Sequence, residues 1–326
     1  MSRSIDKNLV AQLKAEDPRP AYSSLSKLLT NLPESGLLEF EFLGYSHQLE
    51  PGIFYLQDEN AVAIPKLRLL QAFFVARGVL LKHLENGNVP LSDVIAATAI
   101  ILLMDPEHLT AANTRKRALL SDGSPTVTTL MQEKQFLDTY LTARLHRHTK
   151  SPTLWSHRRW LFSESQKVGL HWNIRQDIKE VIMIAAERHP RNYVAWQHAR
   201  LLVNADRSTA VYVAADMKDF CLRNHSDISG WTFLSYCISQ INSHEIRQKV
   251  YSSVLTDVLS LTDLFRWTNE SVWVFLRTIV SAKLVNDKQR GQFYTTLDKL
   301  SSGSSQSSPQ WIILERTRKW CDKYGA

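Results

Sequence analysis

From Pro65 onward the apolar residues fall three and four positions apart, the period of helices with one buried stripe. Phe136, Leu137, Tyr140, Leu141 and Leu145 make one such stripe, and Ile178, Val181, Ile182 and Ala185 a second. Val213, Met217, Phe220 and Cys221 make a third, and Val250, Val254, Leu255, Val258 and Leu259 a fourth. Short polar connections at 121–125 and 204–207 join them, as in stacked antiparallel hairpins. The chain before Pro65 is patterned differently. Leu9, Leu13, Leu25, Leu28 and Leu29 predict helix within residues 1–30, interrupted at Pro18 and Pro20. Partial alternation over 37–42, and the apolar runs 52–56 and 61–64 around Asp58-Glu59-Asn60, predict a small β-hairpin or sheet within 36–64.

Between the amphipathic helices lies a second kind, built on a recurring phrase. Asn192-Tyr193-Val194-Ala195-Trp196-Gln197-His198-Ala199-Arg200 repeats the plan of Ser151-Pro152-Thr153-Leu154-Trp155-Ser156-His157-Arg158-Arg159. Each has a capping-type residue four before Trp, a His two after it and a base four after it. Anchored on the Trp, the plan recurs five times: Ala112 (in place of Trp), Trp155, Trp196, Trp231 and Trp273. The spacings of 43, 41, 35 and 42 residues each suit one helical hairpin. Asn192 and its counterparts sit where a side-chain oxygen can accept from the first free backbone amides of a helix. The recurring Trp is read as core between hairpins. The expected architecture is all-α, an α-α superhelix or solenoid of antiparallel hairpins with a small β-containing N-terminal segment. Its parts are an N-terminal region over 1–104, five repeats over 105–300, a flexible Ser-rich linker at 301–308 and a capping helix over 309–326.

Composition narrows the functional classes. Hydrophobic residues at 44% exclude wholesale disorder, and 11 Gly with 11 Pro are few for a β-rich chain. Three cysteines without paired spacing predict a reducing compartment, with no disulfide framework and no metal site. The longest apolar run, 94–104, is too short to span a bilayer, so no membrane span and a cytoplasmic location are expected. Gly-rich phosphate loops and nucleophile elbows are absent from the sequence. The formal charge of +7 favours anionic partners mildly. Five Lys/Arg and three His, with no acid, crowd residues 144–159. That stretch is read as a solvated or partner-facing surface ahead of nucleic-acid binding.

Asn192-Tyr193-x-x-Trp196-Gln197-His198, the Trp155 phrase and Asn269-Glu270-Ser271-Val272-Trp273 resemble the repeat of the protein prenyltransferase α subunits. Thr110-Ala111-Ala112-Asn113-Thr114-Arg115-Lys116 resembles a first repeat, and the likeness covers residues 105–285. The N-terminal hundred residues depart from the farnesyl and Rab geranylgeranyl α subunits, and resemble instead the repeat-containing branch of type III geranylgeranyltransferase. The resemblance implies a helical-repeat subunit, inactive alone, paired with a catalytic β subunit that holds the zinc and the isoprenoid pocket. This chain itself would carry no cofactor. An isoprenoid diphosphate would lie at the subunit interface, and a protein of SNARE or small GTPase type would be prenylated on a C-terminal Cys. The alternatives are a non-catalytic repeat scaffold and, behind it, an RNA-associated repeat protein.

The resemblance also nominates residues. Where the related subunits carry a diphosphate-facing Lys before Asn-Tyr, this chain has Arg191, whose forked cation suits phosphate oxygens. Tyr193 is a second diphosphate-facing candidate, with ring packing between hairpins as its alternative. Trp155, Arg158, Asn192, Trp196, Trp231 and Trp273 are assigned to the repeat architecture. The base four after the anchor (Lys116, Arg159, Arg200, Arg277) is expected to pair with acids of neighbouring hairpins or of the partner.

Overall fold

The computed structural model describes residue 13 and residues 16–324, without 34, 46, 48, 122, 124 and 282–284. The helix expected around Leu9 lies outside them. The chain forms two compact units, Met1–Trp172 and Asn173–Ala326.

The first unit opens with α1 (Arg19–Thr30). Pro20 sits in its first turn, where a missing N–H costs nothing, so the helix starts there instead of breaking. Strands β1 (Glu39–Leu43), β2 (Leu56–Asp58) and β3 (Ala61–Pro65) follow in the spatial order β1-β3-β2. The expected hairpin is β2-β3, antiparallel about the Glu59 turn, whereas β1 adds to β3 in parallel. Then come α2 (Lys66–Asn86), α3 (Leu91–Met104), α4 (Leu109–Leu120), α5 (Val127–Leu141), the short α6 (His146–Thr149) and α7 (Pro152–Lys167). Helix α3 is apolar all round and buried, packed against α1, α2 and α4. Phe40 of β1 meets the Tyr140 ring of α5 edge-on at 5.9 Å, and the Tyr140 hydroxyl donates to the Ala99 carbonyl of α3 at 2.8 Å. These contacts tie the sheet to the helices.

The second unit is a two-layer array. Its first hairpin partner runs as α8 (Ile174–Asp177), a π-helical turn (Ile178–Ile182) and α9 (Met183–Arg188). Then follow α10 (Tyr193–Ala205), α11 (Ala210–Arg223), α12 (Ile228–Ser239), α13 (His244–Phe265), α14 (Glu270–Val280), α15 (Asp287–Ser302) and α16 (Pro309–Tyr324). One layer holds the Trp helices α10, α12 and α14 and continues into α16; the other holds α11, α13 and α15. Gly230 of α12 lets the layers approach, since a Cβ there would stand 3.2 Å from Phe220. The Ser-rich segment differs from a flexible linker. Ser301 and Ser302 end α15, and the Ser308 N–H closes a turn on the Ser305 carbonyl at 3.0 Å. The Ser308 hydroxyl then accepts from the Trp311 N–H at 3.2 Å, capping α16.

Candidate functional site at the start of the Trp helices

Every anchor is buried: Ala112, Trp155, Trp196, Trp231 and Trp273 are at most 1% exposed. Within the second unit Trp196 and Trp231 each pack on the residue two past the next anchor. Trp196 stacks on Phe233 with centroids 5.2 Å apart, and Trp231 packs on Phe275 at 4.5 Å. Position +2, Phe in repeats four and five, is there the receiving surface for the previous ring. Three of the four indoles are also tied to their own repeat. Trp155, Trp231 and Trp273 donate Nε1–H to the carbonyl six residues upstream (Thr149, His225 and Trp267) at 2.9, 2.9 and 2.8 Å.

Caps set where each Trp helix begins. The Ser151 hydroxyl accepts from Leu154 N–H, the Asn192 side chain from Ala195 N–H, and the Asp227 carboxylate from Ser229 and Gly230 N–H. Asn269 heads α14 without a side-chain cap and bonds sideways, its Nδ2 donating to the His225 carbonyl at 2.8 Å. Ser271 likewise donates to the Ser226 carbonyl at 2.9 Å. The start of one Trp helix is thus hydrogen-bonded to the loop before another.

Arg191 and Tyr193 flank the Asn192 cap and are both exposed, Tyr193 by 66%. The ring-packing alternative for Tyr193 does not hold, because its ring lies largely in solvent. Arg191 has φ 62°, the left-handed region, and its N–H donates to Asp227 Oδ2 at 3.3 Å. Ile228, which opens α12, is also exposed. Two side chains with donor groups therefore stand at an accessible helix start, where backbone amides add partial positive charge.

Arg158 is fully buried in the first unit, its Nε donating to Asp138 Oδ1 at 2.8 Å. Arg115, three past Ala112, is its counterpart and makes a forked pair with Glu133, from Nε at 2.9 and 3.0 Å and from Nη2 at 2.8 Å. His157 Nε2 stands 3.1 Å from Glu133 Oε1, the oxygen that also accepts from Arg115 Nε at 2.9 Å. Burial alone would raise the Glu133 carboxyl, but Arg115 and His157 outweigh it and hold it below the ordinary value. The Arg115 role was readable from its offset to Ala112, yet the missing Trp hid the equivalence.

Three of the four bases four past the anchor meet rings, and the fourth, Arg159, is exposed. Lys116 lies over Trp160 at 5.8 Å, Arg200 over Tyr236 at 5.3 Å and Arg277 over Trp320 at 5.0 Å. Trp160 and Tyr236 are each five past the next anchor, so this is a repeat-register cation–π contact in place of the expected acid pairs. Cys221, Cys237 and Cys321 are buried. Burial pushes all three thiols up, Cys321 to about 11, which leaves no nucleophilic thiolate among them. Among the described residues no group of three or more His, Cys, Asp or Glu is placed to hold a metal ion, and no helix is long and apolar enough to cross a membrane.

Buried Trp anchors, capped starts and two layers of hairpins define a helical-repeat protein. Residues 137–165 match the family model described as protein prenyltransferase alpha subunit repeat, and residues 154–259 match that of the ECM9 middle domain. The chain is similar to proteins carrying the prenyltransferase alpha subunit repeat. It is 26% identical over 194 residues to human protein prenyltransferase alpha subunit repeat-containing protein 1, covering 53% of this chain and 46% of the relative. The zebrafish protein of the same name is 33% identical over 124 residues, covering 32% of this chain and 27% of the relative. Protein ECM9 of budding yeast is 27% identical over 162 residues, covering 48% and 42%. Each match spans less than half of the relative's length.

Proposed function

We propose that this chain is the α-type, helical-repeat subunit of a heterodimeric, cytoplasmic protein prenyltransferase. It would act with a β subunit that carries the zinc and the isoprenoid pocket. The reaction is transfer of an isoprenoid, with geranylgeranyl expected, from its diphosphate to a C-terminal Cys of a protein of SNARE or small GTPase type. The carbon–sulfur bond forms as the carbon–oxygen bond to diphosphate breaks, so negative charge gathers on the leaving group. A fixed cation and a phenolic donor beside that group stabilise the departing charge. Arg191 and Tyr193, exposed on either side of the Asn192 cap, are the observation that carries this reading. The repeat match supports the partner class.

The test begins with purification of the tagged chain from its own cells. A stoichiometric β subunit is expected, and its repeated absence leaves the chain a non-catalytic scaffold. In the reconstituted dimer, Arg191→Ala should lower turnover about 10-fold or more, the worth of one charge-assisted contact, with assembly unchanged. Unaltered turnover removes Arg191 from the chemistry.

A further inference from the structure

Repeat three breaks the rule the other Trp repeats obey. Trp196 is 1% exposed, yet its Nε1–H finds no acceptor among the described residues. The carbonyl six residues upstream, which serves Trp155, Trp231 and Trp273, is here that of Pro190. It lies instead 3.1 Å from His189 Nδ1, which donates to it in the tautomer protonated there.

The turn geometry explains the exchange. Residues 189–192 place Pro190 and Arg191 at the two central positions of a turn. The equivalent turns of repeats two and four close with Ser151 N–H on the His148 carbonyl at 3.1 Å and Asp227 N–H on the Asn224 carbonyl at 2.9 Å. Lys150, the second central residue of repeat two, has φ −110° and ψ 7°, as in a type I turn. Its counterpart Arg191 has φ 62°, the sign that a type II turn demands and that Gly normally supplies. Type I and type II turns differ by rotation of the central peptide. That rotation carries the first central carbonyl to the opposite side while the chain path is kept. In repeat three the carbonyl so turned away is the one Trp196 lacks.

We propose that the 189–192 turn is a two-state switch whose central peptide flips. In the state seen here, the peptide is held at both ends, its carbonyl by His189 Nδ1 and its N–H by Asp227 Oδ2. In the other state the Pro190 carbonyl accepts the Trp196 indole N–H, as in the sister repeats, and Arg191 leaves the left-handed region. The Arg191 N–H then parts from Asp227 and becomes available between the exposed Arg191 and Tyr193. A partner that offers an acceptor at this edge selects the second state, because only that state can bond it. The switch is a property of this chain alone and does not depend on prenyl transfer.

The test is the indole region of ¹⁵N spectra of the full chain, with the Trp196 signal assigned by its loss in Trp196→Phe. His189→Ala removes the carbonyl's present partner and should shift the Trp196 signal towards those of Trp155, Trp231 and Trp273, with slower hydrogen exchange. Arg191→Gly removes the penalty on positive φ and should hold the signal in its unbonded position. His189→Phe is the second variant should His189→Ala collapse the spectrum. A Trp196 signal that stays put in the His189 variants, or one already coincident with the bonded indoles in the wild type, overturns the proposal.

Discussion

Four tryptophans do the same packing work with unequal hydrogen bonding. Trp231 and Trp273 each lose a buried N–H···O bond on replacement by Phe and leave a carbonyl behind. Trp196→Phe loses ring area of the same kind but removes a donor that has no acceptor. Since an unpaired buried donor costs about 1–3 kcal/mol, Trp196→Phe should be milder than Trp231→Phe or Trp273→Phe by about that amount. Urea unfolding of the three variants checks this, and equal losses would mean that Trp196 is bonded in solution. The Trp positions were legible in the sequence because Trp is rare and its spacing is that of a hairpin. The missing bond was not legible, because it depends on the sign of one dihedral at Arg191, which a string containing Pro-Arg-Asn does not specify. Arg191 and Tyr193 came from resemblance alone; the structure adds their exposure.

Helix α5 shows why some of the first unit's interior escaped the sequence. Its Glu133 and Asp138 are buried acids that receive Arg115 from α4 and Arg158 from α7, so one helix serves two repeats. Periodicity marks its apolar stripe, but partners 18 and 20 residues away carry no local signal. The parallel pairing of β1 with β3 was hidden for the same reason, since no turn joins those strands. Helix α6, too short for a periodic signature, delivers His148 into the core. There its Nε2 lies 3.2 and 3.0 Å from the Leu102 and Leu103 carbonyls, a geometry for a neutral ring donating N–H. Burial pulls its pKa down from 6.5 to about 4. A base whose folded pKa is lower than its unfolded value stabilises the fold fully above pH 6.5, and that stability drains away as pH falls towards 4. The loss should be on the order of 3 kcal/mol for this group. Thermal melts from pH 7 to 4 should show that slope, and His148→Gln, which keeps a donor without titrating, should flatten it. A slope unchanged in His148→Gln would assign the acid sensitivity to other groups such as His157, which burial also depresses.

At the scale of the whole molecule, the +7 charge is unevenly laid out and much of it is already used. Residues 28–65 hold six carboxylates and no Lys or Arg, so the β segment is an acidic island in a basic chain. The basic stretch 144–159 suggests a phosphate-binding surface only while its charges are counted without their partners. Arg144 meets Glu39 of that island at 3.3 Å, Arg147 meets Asp105 at 2.8 Å, and Arg158 is buried on Asp138. His148 and His157 are buried with depressed pKa values, so neither adds charge at neutral pH. Lys150 and Arg159 are left exposed, with no acidic partner among the described residues. Two phosphate contacts release about two counterions, so any binding of this stretch to duplex nucleic acid should change with salt at a log–log slope near about −2. A protein built to hold nucleic acid through 6–10 phosphates would show a slope several times steeper. Titration of a labelled duplex with the full chain at rising salt separates the two. A steep slope, or one that falls on Arg144→Ala and Arg147→Ala, would mean that these surface pairs open to phosphate and would favour the RNA-associated alternative over the prenyltransferase subunit.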